Sequence, residues 1–468
     1  MIPHLRDQRS NVGGQGTAST PVERAARRKG EVGTDDDIED QEKPGNAGRH
    51  SQISNQQSGI SVALLTGGGD KPYALGMAEA LTAAGISIDF IGSNDLNVPE
   101  LINNPRVRFL NLRGDQEVEA SLPAKMLRVL RYYVKLIAYA ATAKPNLFHL
   151  LWNNKFQFFD RTVLMFYYRL LGKKIIFTAH NVNAGKRDSN DSWLNRRSLK
   201  VQYNLSDHIF VHTDGMKTEL VADFDIPEEK VSVIPFGINN TVPNTSLSGA
   251  QARRQLGIGK DERALLFFGN IAPYKGLEYL VVAFTELLNR DQNYRLIIVG
   301  RPKGSEDYWK QIQATIADSC IRDRVIEVIE YVPDEATELY FKAADVLILP
   351  YAQVFQSQSG VLLLGYSFGL PAIAADVGTL REDIAEEETG FVFNPRDSSD
   401  LASKIDKYFK GELFRKSENR RTKIKAYANE RYSWSKVAKI TTRVYAEVLR
   451  RTGVRDQRSE VRPSSTHA

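Results

Sequence analysis

Lys275 sits in the turn GNIAPYKG, directly ahead of Gly276 and of a helical pattern in which Leu277, Leu280, Val281, Phe284 and Leu287 recur at steps of three and four. A lysine beside a helix N-terminus offers one anion both an ammonium and unpaired backbone N–H groups, which suits a diphosphate. A second such helix start is predicted within QSQSGVLLLGYSFGLPAIAADVGTLRE, residues 356–382. There Ser357 and Ser359 are N-cap candidates, Gly360 lets backbone approach a ligand, and a short apolar helix opens near Val361. Gly369 fits the left-handed position past the end of that helix, Pro371 forbids continuation, and Ala372–Ala375 reads as a buried parallel strand. His180 follows the apolar strand 175–178. An imidazole at the carboxyl end of a parallel strand lies at the ligand edge of an α/β sheet, where it hydrogen-bonds sugar hydroxyls or exchanges a proton near neutral pH. Gly67, Gly68 and Gly69 break the strand SVALLT ahead of a helix, a geometry that holds a phosphate or a sugar hydroxyl, although the spacing matches neither the dinucleotide fingerprint nor the phosphate loop. Each feature also has a plain reading: a solvated lysine, an ordinary strand-helix connection, a histidine tied to backbone, a tight turn.

The elements that must position these groups alternate. Apolar strands are predicted at 61–66, 86–91, 107–112, 146–151, 174–178, 208–212 and 231–234, with helix-like stretches between most of them. A polar stretch at 241–249 marks a domain boundary, after which strands at 264–268, 295–300, 325–329, 346–349 and 372–375 repeat the plan of strand, glycine-containing turn and amphipathic helix. Strands alternating with helices imply doubly wound parallel sheets, whose ligands sit at the strands' carboxyl ends. Arg301, Tyr331 and Val332 fall at such ends. His149, His208 and His212 lie within or at the ends of strands and read as structural.

A length of 468 residues suggests two or three domains, and 42% hydrophobic with 25% charged residues describes a globular chain. A net charge of +5 is too small to argue for a nucleic-acid partner. One cysteine, Cys320, excludes an intrachain disulfide framework and a cysteine-rich zinc site. Without an apolar leader or a bilayer-length apolar run, the expectation is a cytoplasmic protein. Residues 1–58 and the polar residues from 453 to 468 are expected to be disordered, and the aspartate run at 35–37 reads as a solvated charge block. Within 123–145, Lys125, Arg128, Arg131 and Lys135 share a helix face while Met126, Leu130, Tyr133, Val134 and Ile137 lie elsewhere on the turn. Two readings stand: a surface helix packed on the sheet, or a basic, aromatic-flanked helix resting at 124–138 on an anionic membrane. Residues 161–174 repeat that character and favour the membrane reading, with a peripheral position at the inner face and a lipid-linked acceptor.

The segments VIPFG, LLFFGNIAPYKGLEYL, YVPDEATELYFKAADVLILP and SGVLLLGYSFGLPAIAADVGTLRE occur in the order found in family four glycosyltransferases, which the chain resembles over residues 61–450. The resemblance implies the GT-B fold: two Rossmann-like doubly wound parallel-sheet domains facing a cleft. Its acceptor-binding domain would span 59–240, its donor-binding domain 241–430, and a helix at 431–452 would cross back to the first domain. It implies a nucleotide-sugar donor, a carbohydrate or lipid-linked acceptor, retention of anomeric configuration, and no cofactor or metal. Lys275 matches the family's diphosphate lysine, Ser359, Gly360 and Val361 its phosphate-facing helix start, and Tyr331 and Val332 the place of the base. His180 resembles the histidine that contacts the donor sugar, Gly67 to Gly69 the glycine loop facing the crevice, and Gly237 of VIPFG belongs to the donor-binding set.

The chain also departs from that pattern. Asn270 replaces the family's arginine, and Ser357 and Gly365 stand where it often carries two glutamates. The reading therefore expects Ser357, Gln358 and backbone N–H groups to replace the carboxylate contacts, Arg301 or Arg381 to supply the missing charge, and Gly365 to mark close backbone or ligand approach. The function implied is retaining glycosyl transfer for polysaccharide or glycolipid synthesis. A same-fold nucleotide-sugar epimerase and a non-catalytic sugar-nucleotide sensor or scaffold are the alternatives.

Overall fold

The computed structural model describes residues 59–460 except 118–119, 188–190, 241, 303, 354–357 and 416. The expected disordered tail at 1–58 and Ser357 therefore lie outside the described residues.

Seven parallel strands form the first sheet: β1 Ser61–Leu65, β2 Ser87–Gly92, β3 Val107–Asn111, β4 Leu147–Leu150, β5 Lys174–Thr178, β6 His208–Val211 and β7 Val231–Val233. Their order is β3-β2-β1-β4-β5-β6-β7. Six more form the second sheet: β8 Arg263–Phe268, β9 Tyr294–Val299, β10 Val325–Val328, β11 Val346–Leu349, β12 Ala372–Ala375 and β13 Gly390–Phe393, in the order β10-β9-β8-β11-β12-β13. All pairings are parallel, as in β1 with β4 through Val62 and Leu147 and β8 with β11 through Leu266 and Leu347. Two Rossmann-like domains follow from this, and the strand order reverses between β1 and β4 in one sheet and between β8 and β11 in the other. Ligands of open α/β sheets bind at such reversals. The runs VALL, LLFF and VLIL are almost wholly buried, as strands covered by helices on both faces must be.

The helices that bear on the site are α1 Lys71–Ala83, α2 Leu122–Thr142, α3 Leu277–Arg290, α4 Gly360–Ser367 and α5 Trp434–Glu460. Helix α5 belongs to the core of the first domain: Val437, Val444, Tyr445 and Val448 pack with Tyr73, Met77 and Leu81 of α1 against Val62, Leu64 and Phe90. Burying each of these side chains is worth about 1.5–3 kcal/mol, so the terminal helix ties the chain's end to its first sheet. Trp434 starts it, wedged where a Cβ on Gly76 or Gly237 would stand 2.2 or 2.6 Å from the indole, and its Nε1 donates to the Ile238 carbonyl at 3.0 Å. The helix runs on to Glu460, past Gly453, where the sequence suggested a disordered tail, and residues 461–468 of that expected tail lie outside the described residues. Among the described residues no helix is long and apolar enough to cross a membrane.

Helix α2 packs Tyr132, Tyr133, Leu136 and Ala140 inward and turns Met126, Leu130 and Val134 outward at 71%, 62% and 59% exposure. Tyr133 thus leaves the outward apolar set; its hydroxyl donates to the buried Asp160 at 2.9 Å. The second basic-aromatic segment departs further from expectation. Arg161 is buried and bonded to Asn195 and Gln157, Lys173 is buried and donates to the carbonyls of Ala143 and Pro145, and Arg169 pairs with Asp207. Arg161 and Lys173 are thus taken up inside the domain, and besides the surface pair of Arg169 the segment exposes apolar side chains: Val163, Phe166 and Leu170.

Candidate functional site

The two strand-order reversals open on a single cleft of about 770 Å³. From the second domain it takes Lys275 after β8, Tyr331 and Val332 after β10, Tyr351 after β11, and Gln358, Ser359, Gly360 and Val361 at the start of α4. From the first it takes Gly69, Asp70 and Lys71 after β1, Trp152 after β4, His180 after β5, and Gly237.

Lys275 is buried at the end of a short turn, and Gly276, with φ of +65°, begins α3. The ammonium lies 3.7 Å from the centre of the Tyr351 ring, a cation–π contact in a dry place. The Tyr351 hydroxyl is 3.0 Å from Ser359 Oγ, and that hydroxyl caps α4 by accepting from the Leu362 amide. Tyr351 is fully buried, which pushes its phenol up to about 12 and keeps it neutral. Lysine, tyrosine and helix start form one connected unit, and the amides of Gly360 and Val361, which have no partner inside the helix, open on the same cleft. That end carries the positive pole of the helix dipole, so an anion placed there meets the dipole and the ammonium together.

On the opposite wall the His180 imidazole stacks on the Trp152 indole, centroids 3.9 Å apart and planes 4° from parallel, with Tyr73 edge-on at 4.6 Å. His180 Nδ1 is 2.9 Å from His212 Nε2, and His212 Nδ1 is 3.2 Å from the Ile234 carbonyl. A carbonyl only accepts. His212 therefore carries its proton on Nδ1, its Nε2 accepts from His180 Nδ1–H, and His180 Nε2 is left as a lone pair. That atom is buried and has no partner among the described residues. Burial, then the neighbouring His212 and His149, hold the His180 pKa well below the usual histidine range against an opposing contact with the Leu151 backbone, so at neutral pH the ring is uncharged.

Other expectations shift. Gly67 and Gly68 do not line the cleft. A Cβ at Gly67, where φ is +58°, would lie 2.1 Å from the Trp152 carbonyl, and one at Gly68 2.2 Å from the Arg113 guanidinium. The glycines are required by the loop's own packing, and only Gly69 reaches the cleft wall. Asn270 is exposed and outside the cleft lining. Arg301 is exposed and lies over the outer ring of Tyr331, its Cζ 5.4 Å from the centre, while Arg381 is 3.6 Å from Asp376; neither lines the cleft, so neither supplies the missing cation there. Gln358 is committed elsewhere: its Oε1 accepts from the Phe236 amide at 3.1 Å and its Nε2 donates to the buried Asp383 at 3.0 Å. Its amide cannot also take over a lost carboxylate contact. Gly365 faces the sheet, where a Cβ would stand 2.8 Å from Leu347 Cδ2, so it marks close helix-on-strand packing and not ligand approach.

Sequence reasoning missed Tyr351, Trp152, Asp70 and Lys71. Tyr351 directly follows Pro350 at a strand end, and Asp70, which caps α1 by accepting from the Tyr73 amide at 2.9 Å, stands before Lys-Pro, so both carried a positional signal. Lys71 adds a second ammonium to the cleft. Among the described residues no group of three or more His, Cys, Asp or Glu side chains is placed to hold a metal ion.

Residues 67–241 match the family model "Glycosyltransferase Family 4" and residues 249–431 the model "Glycosyl transferases group 1". Similar curated proteins include an uncharacterized glycosyltransferase of Methanocaldococcus jannaschii, 30% identical over 51% of this chain and 60% of its own length. A D-inositol 3-phosphate glycosyltransferase of Corynebacterium efficiens is 28% identical over 48% of this chain and 54% of its own. The matches thus span a little over half the length of these relatives. Among solved structures, Anabaena HepE in complex with UDP and glucose superposes with a TM-score of 0.64 at 16% identity, covering 83% of this chain and all of that one. Sucrose-phosphate synthase of Thermosynechococcus elongatus gives 0.65 at 20% identity, covering 83% and 99%. With two parallel-sheet Rossmann-like domains and both family models matched in order, the chain belongs to the family four glycosyltransferases of the GT-B fold.

Proposed function

We propose that the protein transfers a sugar from a nucleoside-diphosphate donor to an acceptor hydroxyl, with retention of configuration at the anomeric carbon. The observation that carries this reading is the convergence of Lys275, the start of α4 and the His180 side chain on one cleft. The donor's diphosphate would lie between Lys275 and the Gly360 and Val361 amides, its base against Tyr331 and Val332, and its sugar towards His180. In transfer the acceptor oxygen bonds to the anomeric carbon, the bond from that carbon to the diphosphate breaks, and the hydroxyl proton passes to the departing diphosphate. Charge grows on that leaving group, and Lys275 with the helix start stabilises it where it forms. His180, neutral and accepting, orients a donor-sugar hydroxyl. The reading requires no metal ion and no cofactor. The UDP and glucose held by HepE, which shares the fold, support a nucleotide-sugar donor.

The acceptor side belongs to the first domain. Met126, Leu130, Val134 and Ile137 present an apolar row on α2, flanked by the exposed Arg131 and Lys135, and the Tyr167 hydroxyl, donating to the Ile137 carbonyl at 3.1 Å, brings the segment bearing Phe166 and Leu170 alongside. An exposed apolar row beside cations suits the inner face of a membrane and a lipid-linked acceptor.

The test is to incubate the protein with UDP, GDP and ADP sugars and lipid extract, following nucleoside diphosphate release and the anomeric proton of the product. Donor-dependent release with a product of the donor's own configuration supports the reading. An inverted product removes retention, and donor conversion without an acceptor turns the protein into an epimerase or hydrolase.

A further inference from the structure

Arg113 stands apart from the other buried arginines. It follows β3, its amide donating to the Gly92 carbonyl at 3.2 Å, and its guanidinium lies between the Gly68 backbone and the ring of Tyr132, 5.5 Å from Cζ. Its Nε and Nη1 are buried without a hydrogen-bond partner. Arg161, Arg253, Arg295 and Arg420 also leave a buried nitrogen unpaired, but in each it is Nε alone, and a terminal nitrogen of each reaches a side chain. A buried guanidinium with two idle donors is unfavourable unless an anion completes it, and the planar fork of Arg fits a phosphate.

What lies on either side of Arg113 gives that anion a context. On one side Gly69, the neighbour of Gly68, lines the donor cleft, as does Trp152, whose ring packs against it. On the other side Arg113 lines a second, open cavity of about 950 Å³ along the first half of α2, walled by Leu122, Met126, Leu127, Leu130 and Phe156. That cavity is mostly apolar, although Gln116, Glu117, Lys125, Arg128, Asn154 and Lys155 also line it, and Leu122, Met126 and Leu130 are among the most exposed large hydrophobic side chains in the described protein. Cleft, guanidinium and apolar cavity follow one another along the loops that end β1, β3 and β4.

From this sequence we infer that Arg113 holds the phosphate of an amphiphilic acceptor, whose hydroxyl-bearing end reaches the donor cleft and whose acyl or isoprenoid chain lies in the α2 cavity. The inference rests on the transferase reading for the acceptor's role, though not for its binding. Arg113 is here a specificity residue, selecting a lipid joined through phosphate over a neutral glycolipid.

Binding of dodecyl phosphate, dodecyl maltoside and inorganic phosphate, each below its micellar concentration, would be measured by titration calorimetry on the full chain and on Arg113→Gln, Arg113→Lys and Met126→Asp. The expected pattern is dodecyl phosphate bound at least tenfold more weakly by Arg113→Gln, partly restored in Arg113→Lys, with dodecyl maltoside unchanged by either. Met126→Asp, on an exposed position, should weaken both amphiphiles and leave inorganic phosphate alone. Equal dodecyl phosphate binding by wild type and Arg113→Gln overturns the inference, as does inorganic phosphate binding as tightly as dodecyl phosphate, which would mean a free-anion site. Insensitivity to Met126→Asp also overturns it, because the chain would then lie outside the cavity. A UDP titration in parallel keeps the two readings separate: no nucleotide binding with intact amphiphile selectivity fails the transferase and spares the lipid site.

Discussion

His180 and His212 are joined nitrogen to nitrogen at 2.9 Å, and the contact of His212 Nδ1 with the Ile234 carbonyl sets the direction of that bond. His180 thus lines the cleft as a neutral ring whose Nδ1 is committed to His212. Replacing His212 with Ala removes the acceptor for His180 Nδ1–H, and the loss of one buried hydrogen bond, about 1–1.5 kcal/mol, predicts roughly a tenfold lower kcat with little change in donor KM. Nitrogen NMR checks the cause. His180 Nε2 should resonate as an unprotonated nitrogen in the wild type and shift towards the protonated form in the variant.

Tyr351 touches Lys275 through its ring and Ser359 through its hydroxyl, so two substitutions separate the two roles. Tyr351→Phe keeps the ring under the ammonium and should change nucleoside diphosphate affinity less than about threefold. Tyr351→Ala removes a cation–π contact worth about 2 kcal/mol at a dry site and should weaken affinity more than about tenfold. Calorimetric Kd values for the two variants decide between the roles.

Gln358 bonds the Phe236 amide of the first domain and the Asp383 carboxylate of the second, and Asp383 also accepts from the Tyr432 hydroxyl just ahead of α5. Gln358→Ala should destabilise the protein by about 1–3 kcal/mol, because two partners lose their hydrogen bond at once. Denaturant titration measures the loss, and faster hydrogen exchange of the Phe236 amide locates it.

His149 is wholly buried, with Nδ1 2.6 Å from the Tyr445 hydroxyl of α5 and Nε2 2.8 Å from Thr178 Oγ1, and burial pushes its pKa down from 6.5 to about 3. A histidine held neutral when folded stabilises fully above its unfolded pKa, and that contribution falls as pH drops from 6.5 towards the folded value. Stability should therefore fall on acidification below 6.5, with His149 contributing about 1.4 kcal/mol per pH unit between pH 6 and 5. His149→Gln should flatten the slope by that amount. An unchanged slope would mean that the ring does not stay neutral.

Nucleotide binding should survive removal of divalent ions, since Lys275 and the start of α4 are offered as the diphosphate's partners. UDP affinity with and without EDTA should agree within about twofold, and a loss of tenfold or more, about 1.4 kcal/mol, would show that the site recruits a metal ion.

Much of this was legible in the sequence because doubly wound sheets announce themselves as apolar runs separated by glycine-bearing turns. Twelve of the strands were readable in that way; Gly390–Phe393 was not. Lys275, Ser359 and Gly360 were legible because a cation and a cap next to a helix start have a local signature. What escaped depends on where side chains end up across the fold. The carboxamide of Gln358 resembled a free polar group until Phe236 and Asp383, 122 and 25 residues away, were seen to hold it. Likewise the cations of 161–174 looked like a membrane-facing set, yet Arg161 and Lys173 are spent on internal partners. Arg113 gave no local sign at all, since its idle donors exist only because Gly68 and Tyr132 enclose them.

The central claim, a nucleotide-sugar site built on Lys275, is tested most directly by titration calorimetry of the wild type and Lys275→Ala with UDP, GDP and ADP sugars. The account predicts that one donor binds the wild type and that the variant binds it at least tenfold more weakly, a change of about 1.4 kcal/mol or more. If no donor binds the wild type, or if Lys275→Ala binds as tightly, the cleft does not hold the donor in the way described.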